Sequence, residues 1–155
     1  MNDKSFSITI TVDQTPEQAF AAINDVRHWW TGVIEGSTNT LGAEFTYRYK
    51  DMHFSKQQVT ELVAGRKVVW TVTDSALQFA EHKDEWTGTK LVFDIVSKGD
   101  KTEVCFSHVG LVPALDCYGA CSKGWTQLVN ELASFIAAKA QPTLKAAVRT
   151  AEGRA

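Results

Sequence analysis

The sequence predicts an α+β fold in which a curved antiparallel sheet of about six strands packs against a long C-terminal helix, with two short helices closing one end. Residues 102–108 alternate apolar and polar side chains, as a half-buried strand does. Residues 121–136 carry apolar side chains three or four positions apart, which is one stripe of an amphipathic helix. Consecutive strand patterns are joined by short turn signals, which is typical of an antiparallel meander. The helix needs an apolar surface to lie on, and the sheet supplies it.

The chain begins with a strand and a short helix. Residues 5–12 alternate strictly between apolar and hydroxyl side chains, which predicts the first strand. A helix over residues 16–23 follows, because Thr15 suits the N-cap, Pro16 suits the first helical position and Gln18 completes a capping box. A second helical turn is predicted immediately afterwards, over residues 25–30, and it carries the tandem Trp29 and Trp30, which cannot both be solvated cheaply.

The remaining strands are predicted at residues 42–51, 54–63 and 67–74, with two more within residues 85–108 joined around Lys98-Gly99-Asp100. The strand at 54–63 has mixed side chains on both faces, so its inward side stays open. Residues 75–85 are expected to form an irregular connection. The long helix ends before Gln141-Pro142, which gives one domain over residues 1–140 and a tail over 141–155 that either extends the helix or is disordered.

Composition narrows the classes of partner. The chain has 155 residues, enough for one domain with its own core, and a formal net charge of -2, which argues against nucleic acid because nucleic-acid binders show a basic patch. No apolar run is long enough to cross a membrane, so we expect a soluble, cytoplasmic protein. Three cysteines without framework spacing predict free thiols and no structural disulfide. We expect no cofactor.

The order of elements resembles the helix-grip fold of the START-like, or SRPBCC, superfamily, which includes the birch-pollen-allergen-type proteins. More narrowly, the chain resembles the family named for homologues of the activator of the ninety-kilodalton heat-shock chaperone's ATPase. The motifs that carry this resemblance are Thr15-Pro16-Glu17 with Phe20, Trp29-Trp30, Leu41-Gly42-Ala43-Glu44-Phe45, Glu61-Leu62, Gly65-Arg66-Lys67-Val68-Val69-Trp70, Thr102-Glu103, His108-Val109-Gly110-Leu111 and Gly124-Trp125. They span roughly residues 5–137, and their order carries more weight than any single motif.

The inward face of a helix-grip sheet forms a concave wall that the long helix covers. The residues that we expect to line it are Phe45, Tyr47, Tyr49, Trp70, Phe93, Phe106 and His108 from the sheet, with Trp125, Leu128 and Leu132 from the helix. These side chains either pack into a solid core or leave a cavity for an apolar or aromatic small molecule. Our leading hypothesis is a non-enzymatic domain that binds a small hydrophobic ligand in this place.

Two other functions stay open. The resemblance implies a co-chaperone-like protein-interaction domain, with a chaperone as its partner. The same superfamily includes enzymes of the polyketide cyclase or aromatase kind, which would need a polar residue such as His108 or Tyr47 in an open cavity. The protein is expected to be a monomer or a homodimer.

Few residues suggest chemistry beyond binding. Tyr47 and Tyr49 could orient the polar end of a ligand or bond to protein groups. His108 is a polar anchor, an acid or base, or a packed histidine with satisfied ring nitrogens. Cys117 and Cys121 share a helix face, but no paired spacing supports zinc, and we expect no metal site and no catalytic residue. Cys121 is expected to be buried, and Cys117 and Cys105 are expected to be accessible.

Overall fold

The computed structural model describes residues 5–78, 80, 83–115 and 117–139. Its elements in chain order are β1 (Phe6–Val12), α1 (Pro16–Asn24), a 3₁₀ turn (Val26–His28), β2 (Val33–Gly36), β3 (Glu44–Tyr49), β4 (His53–Val63), β5 (Lys67–Leu77), β6 (Lys90–Lys98), β7 (Lys101–Val109) and α2 (Tyr118–Lys139). The predicted tail over residues 141–155 lies outside the described residues. In the part that the structure describes, no helix is long and apolar enough to cross a membrane.

Seven strands of the described chain form one antiparallel sheet in the order β1-β7-β6-β5-β4-β3-β2. The predicted fold class is confirmed, with one strand more than expected. The extra strand is β2, which pairs with β3 at the edge of the sheet. It has only four residues, of which Ile34 alone is buried, so it carries too little alternation to be recognised in the sequence. Strand β5 also runs to Leu77, into the segment that we expected to be irregular.

The predicted start of α1 is confirmed. The Thr15 side chain accepts a hydrogen bond from the Gln18 backbone N–H at 3.1 Å, and the Gln18 side chain accepts one from the Thr15 backbone N–H at 2.8 Å. The two bonds form the capping box, which satisfies N–H groups that lack partners within the helix. Helix α1 then buries Ala19, Ala22 and Ile23 and packs beside α2.

Helix α2 covers the inward face of the sheet. Its buried residues are Cys121, Trp125, Val129, Leu132 and Ile136, and Leu128 and Phe135 are partly buried beside them. The sequence period places Leu128 and Phe135 on the stripe, whereas the fully buried side chains lie one residue later, at Val129 and Ile136, so the stripe is broader than predicted. This broad stripe fits a helix that packs against both the sheet and α1.

The burial pattern of β4 explains why the sequence does not show which of its faces points inward. Its buried residues are Ser55, Gln57 and Val59, and two of these are polar. Its register with β5 shifts twice, between Lys56 and Gln57 and again between Val59 and Glu61. Gln57 is fully buried, and neither atom of its side-chain amide has a hydrogen-bond partner among the described residues. A face with two polar residues and two irregularities gives no clean period of two.

Candidate functional site

A cavity of about 560 Å³ lies between α2 and the adjoining ends of β3 and β4. Five aromatic side chains form much of its wall, and α2 supplies a row of smaller or more flexible ones. The lining residues are Trp30, Thr31, Tyr47, Tyr49, Met52, His53, Trp86, Ala120, Cys121, Gly124, Trp125, Gln127, Leu128 and Glu131. Several of these are exposed, including Thr31, Met52 and Glu131, and they form the mouth of the cavity.

Four of the ten residues expected to line a ligand site do line this cavity: Tyr47, Tyr49, Trp125 and Leu128. The other six, which lie in the packed core beside it, are Phe45, Trp70, Phe93, Phe106, His108 and Leu132. Their rings contact one another directly, with centroids 5.2 Å apart for Phe45 and Trp70 and 4.9 Å apart for Phe93 and Phe106. The sequence left open a solid core or a cavity between the sheet and the long helix. The structure has both, because one part of this space is filled by packed side chains and another part is open.

Sequence reasoning missed three aromatic or imidazole rings of the cavity wall. Trp30 follows the 3₁₀ turn, Trp86 lies in the connection between β5 and β6, and His53 begins β4. The Trp30 ring meets Tyr47 edge to face at 4.6 Å, while the Trp86 ring stacks on Trp125 at 5.7 Å. For Trp30, the tandem Trp29-Trp30 was the sequence signal that could have indicated a place in the wall, since both of these rings are buried.

Gly32 lets the loop that carries Trp30 approach β3. Its φ of +110° is in the region that favours glycine, and a Cβ there would lie 2.8 Å from the Tyr47 ring and 2.7 Å from the Arg48 carbonyl oxygen. Arg27, in the preceding turn, donates hydrogen bonds to the backbone carbonyls of Ile34 (3.3 Å) and Gly36 (2.9 Å). The loop is therefore held against β2 and β3, and this places Trp30 over Tyr47.

His108 is fully buried, and both of its ring nitrogens have partners. The Trp125 indole N–H donates to Nδ1 at 3.0 Å, and Nε2 lies 2.8 Å from the Thr89 hydroxyl. Because an indole N–H can only donate, Nδ1 must be unprotonated, so Nε2 carries the proton and donates to Thr89. The Thr89 hydroxyl in turn donates to the Trp86 carbonyl at 2.6 Å. Burial, followed by the nearby His53, lowers the pKa of His108 from 6.5 to about 3.

His108 is therefore a neutral, structural histidine that fixes the rings of the cavity wall. This geometry matches the packed-histidine interpretation and gives the ring no free nitrogen for acid or base chemistry. His108 from the sheet and Trp125 from the helix, both expected at the concave wall, are joined by this hydrogen bond.

His53 is the imidazole that does line the cavity. It is partly buried, its Nε2 lies 3.2 Å from the Ser55 hydroxyl, and its ring contacts Tyr47 and Trp86 edge to face. Burial lowers the pKa of His53 to about 4, so the ring is neutral at neutral pH. Burial also raises the pKa of Tyr47, so its phenol keeps its proton. The wall thus presents neutral polar groups to the cavity.

The family model described as "Activator of Hsp90 ATPase homolog 1-like protein" matches residues 13–137, which is most of the chain. The chain belongs to this family. No curated protein sequence matches the chain significantly.

Solved structures support the same fold for this member of the activator-homologue family. The Aha1 dimer from Colwellia psychrerythraea has a TM-score of 0.69 and 22% identity, over 85% of this chain and 95% of that one. Mll3558 from Rhizobium loti has a TM-score of 0.65 and 19% identity, over 84% and 95%. CalU16 from Micromonospora echinospora has a TM-score of 0.63 and 14% identity, over 85% and 75%. Identities this low establish the fold and leave the ligand to the residues of this chain.

The three cysteines of this family member are free. Cys121 is buried as expected and lines the cavity, whereas Cys117 is also buried, so the expectation that it is accessible is wrong. Cys117 lies immediately before α2, where its backbone N–H donates to the Glu85 carboxylate at 2.9 Å, and this contact helps cover it. Among the described residues, no three or more His, Cys, Asp or Glu side chains are placed to hold a metal ion.

Proposed function

We propose that this protein binds a small, largely apolar molecule in the cavity between α2 and the ends of β3 and β4. The observation that carries the proposal is the cavity itself, about 560 Å³ in volume with five aromatic residues in its wall. Ligand pockets usually measure about 300–1,000 Å³ and combine an apolar wall with a few placed polar groups. The cavity has both properties.

The lining residues indicate what kind of molecule would fit. An aromatic or aliphatic body would lie against Trp30, Trp86 and Trp125, where flat rings offer large contact areas. A neutral polar end would find His53 and the Tyr47 phenol as hydrogen-bonding partners. Among the described lining residues, Glu131 at the mouth is the one acidic side chain. A second polar group of the ligand would therefore face Glu131 or solvent.

The cyclase hypothesis loses His108 as its acid or base, because both ring nitrogens are engaged away from the cavity. Tyr47 and His53 then remain as the candidates that such chemistry would need.

The chaperone-partner hypothesis rests on family membership and stays a prediction, as does the choice between monomer and homodimer. A pull-down that fails to recover the chaperone would count against the chaperone partner.

Blocking the mouth of the cavity tests the binding proposal. Gly124 lines the cavity from α2, and apart from its chain neighbours and the nearby backbone of its own helix, no atom lies within 4 Å of the Cβ that a larger residue would add. We expect Gly124→Trp to lower the affinity for the neutral fluorescent probe N-phenyl-1-naphthylamine at least tenfold, because the indole occupies space that the probe needs. Fluorescence titration of purified protein measures this affinity.

Gly119→Trp is the matched control. Gly119 is also in α2, is exposed and has equally open space around its Cβ, but it does not line the cavity. Both substitutions replace a helical glycine, which favours the helix by up to about 1 kcal/mol. We expect Gly119→Trp to change the affinity less than twofold. Equal probe affinity in all three proteins, or no saturable binding to any of them, would refute the proposal.

A further inference from the structure

The cavity wall contains a nucleophilic side chain that the binding proposal does not use. Cys121 is the fourth residue of α2 and lines the cavity with about 6% of its surface exposed. The Trp86 indole N–H donates a hydrogen bond to its sulfur at 3.3 Å. Hydrogen-bond donors and the first turn of a helix both stabilise a thiolate, which is the reactive form of cysteine.

Cys117 supports the same sulfur from the preceding turn. A hydrogen bond with the Cys117 thiol is the largest influence on the pKa of Cys121 and lowers it. Burial raises that pKa, the Trp86 N–H lowers it and the Glu85 carboxylate raises it, and the net direction is downward. The same bond raises the pKa of Cys117. Of the two thiols, Cys121 is the one that lines the cavity, so it is the one that a bound molecule can reach.

A second feature of the cavity points to a ligand with a hydrogen-bond acceptor. Trp30 is about 5% exposed and lines the cavity, and its indole N–H has no hydrogen-bond partner among the described residues. An unpaired buried donor is costly, by about 1–3 kcal/mol. The nitrogen is shielded from solvent, and the Trp30 ring packs edge to face against Tyr47 and Trp125 in the cavity wall. Trp125 lies between the two features, with its ring 5.5 Å from Trp30 and 5.7 Å from Trp86.

We propose that Cys121 is a covalent attachment site for α,β-unsaturated carbonyl compounds that enter this cavity. The thiol of Cys121 first loses its proton to water. Its sulfur then forms a bond to the β-carbon of the electrophile, the π-electron pair moves towards the carbonyl, and the α-carbon takes a proton from water. The net reaction is addition of S–H across C=C, with no leaving group, oxidant or reductant. The inference rests on the proposed function, because the electrophile must first occupy the cavity.

N-phenylmaleimide, an apolar aromatic electrophile of this class, tests the proposal. Cys105 serves as the internal reference, because it is partly buried on β7 and outside the cavity lining. Peptide mapping by mass spectrometry of the folded protein at neutral pH gives the rate at each cysteine. We expect Cys121 to react at least ten times faster than Cys105, and Gly124→Trp to slow Cys121 at least tenfold while Gly119→Trp does not.

Two further variants separate reactivity from access. Cys121→Ser should remove the fast adduct and leave the Cys105 rate unchanged. Trp86→Phe keeps an aromatic ring but removes the donor, so the pH midpoint of Cys121 labelling should rise. Faster labelling of Cys105 than of Cys121, or a Cys121 rate that is insensitive to Gly124→Trp, would overturn the proposal. Normal binding of N-phenyl-1-naphthylamine with an unreactive Cys121 would refute covalent attachment alone, whereas loss of both would refute the proposed function as well.

Discussion

His108→Leu is expected to lower the free energy of unfolding by about 3 kcal/mol at pH 7, because it leaves the buried Trp125 N–H without an acceptor and breaks the bond to Thr89. Leucine is close to histidine in size, so most of this loss reflects hydrogen bonding and not a new cavity. Chemical denaturation followed by tryptophan fluorescence measures the difference.

A double-mutant cycle with Trp125→Phe assigns the loss to the specific contact. Phenylalanine keeps an aromatic ring beside Phe106 but has no N–H to donate. We expect the two substitutions together to cost less than the sum of their separate effects, by about 1–2 kcal/mol, as contacting partners do. Strictly additive effects would show that the bond between Trp125 and His108 does not contribute to stability.

Acidification is expected to remove the advantage of His108 over leucine. The pKa of His108 falls from 6.5 in the unfolded chain to about 3 in the folded one, so the unfolded state binds the proton first as the pH drops. The contribution of neutral His108 to stability is complete above pH 6.5 and is lost progressively as the pH falls towards 3. Between pH 7 and pH 4 this loss amounts to about 3 kcal/mol, on the basis of about 1.36 kcal/mol for each unit of pKa difference.

The comparison with His108→Leu isolates this one group. Carboxylates and His53 titrate in both proteins, so their effects largely cancel in the difference between the two unfolding free energies. That difference should shrink from about 3 kcal/mol at pH 7 to nearly zero at pH 4. Urea denaturation of both proteins at four or five pH values measures it. A difference that stays constant with pH would mean that His108 is not held neutral by its surroundings.

The fold could be predicted well because its main elements carry strong local patterns. The alternation in β7 and the stripe of α2 follow from periods of 2 and 3.6, and the capping box marks the start of α1. The elements that were missed or left open have weak patterns for physical reasons. Strand β2 has four residues, and β4 buries Ser55 and Gln57 on its inward face.

Only part of the site could be predicted. The alternation of side chains along a strand shows which face of the sheet a residue occupies, but it does not show how far the helix lies from that residue. Trp70 and Tyr47 are both inward-facing sheet aromatics, yet Trp70 is packed between Phe45 and Phe93 and Tyr47 reaches the cavity. Whether a ring is covered depends on long-range placement of the loop around Trp30 and the connection around Trp86. Neither segment has a regular period, so their contribution to the wall emerges only in three dimensions.

The five tryptophans offer the most direct test of the central claim that the cavity binds an apolar ligand. Trp30, Trp86 and Trp125 line the cavity, whereas Trp29 and Trp70 do not. In a nuclear magnetic resonance titration with N-phenyl-1-naphthylamine, the indole N–H resonances of the three lining tryptophans should shift saturably with one dissociation constant, and those of Trp29 and Trp70 should move less. Unmoved lining resonances at probe concentrations that shift surface amides would contradict the account.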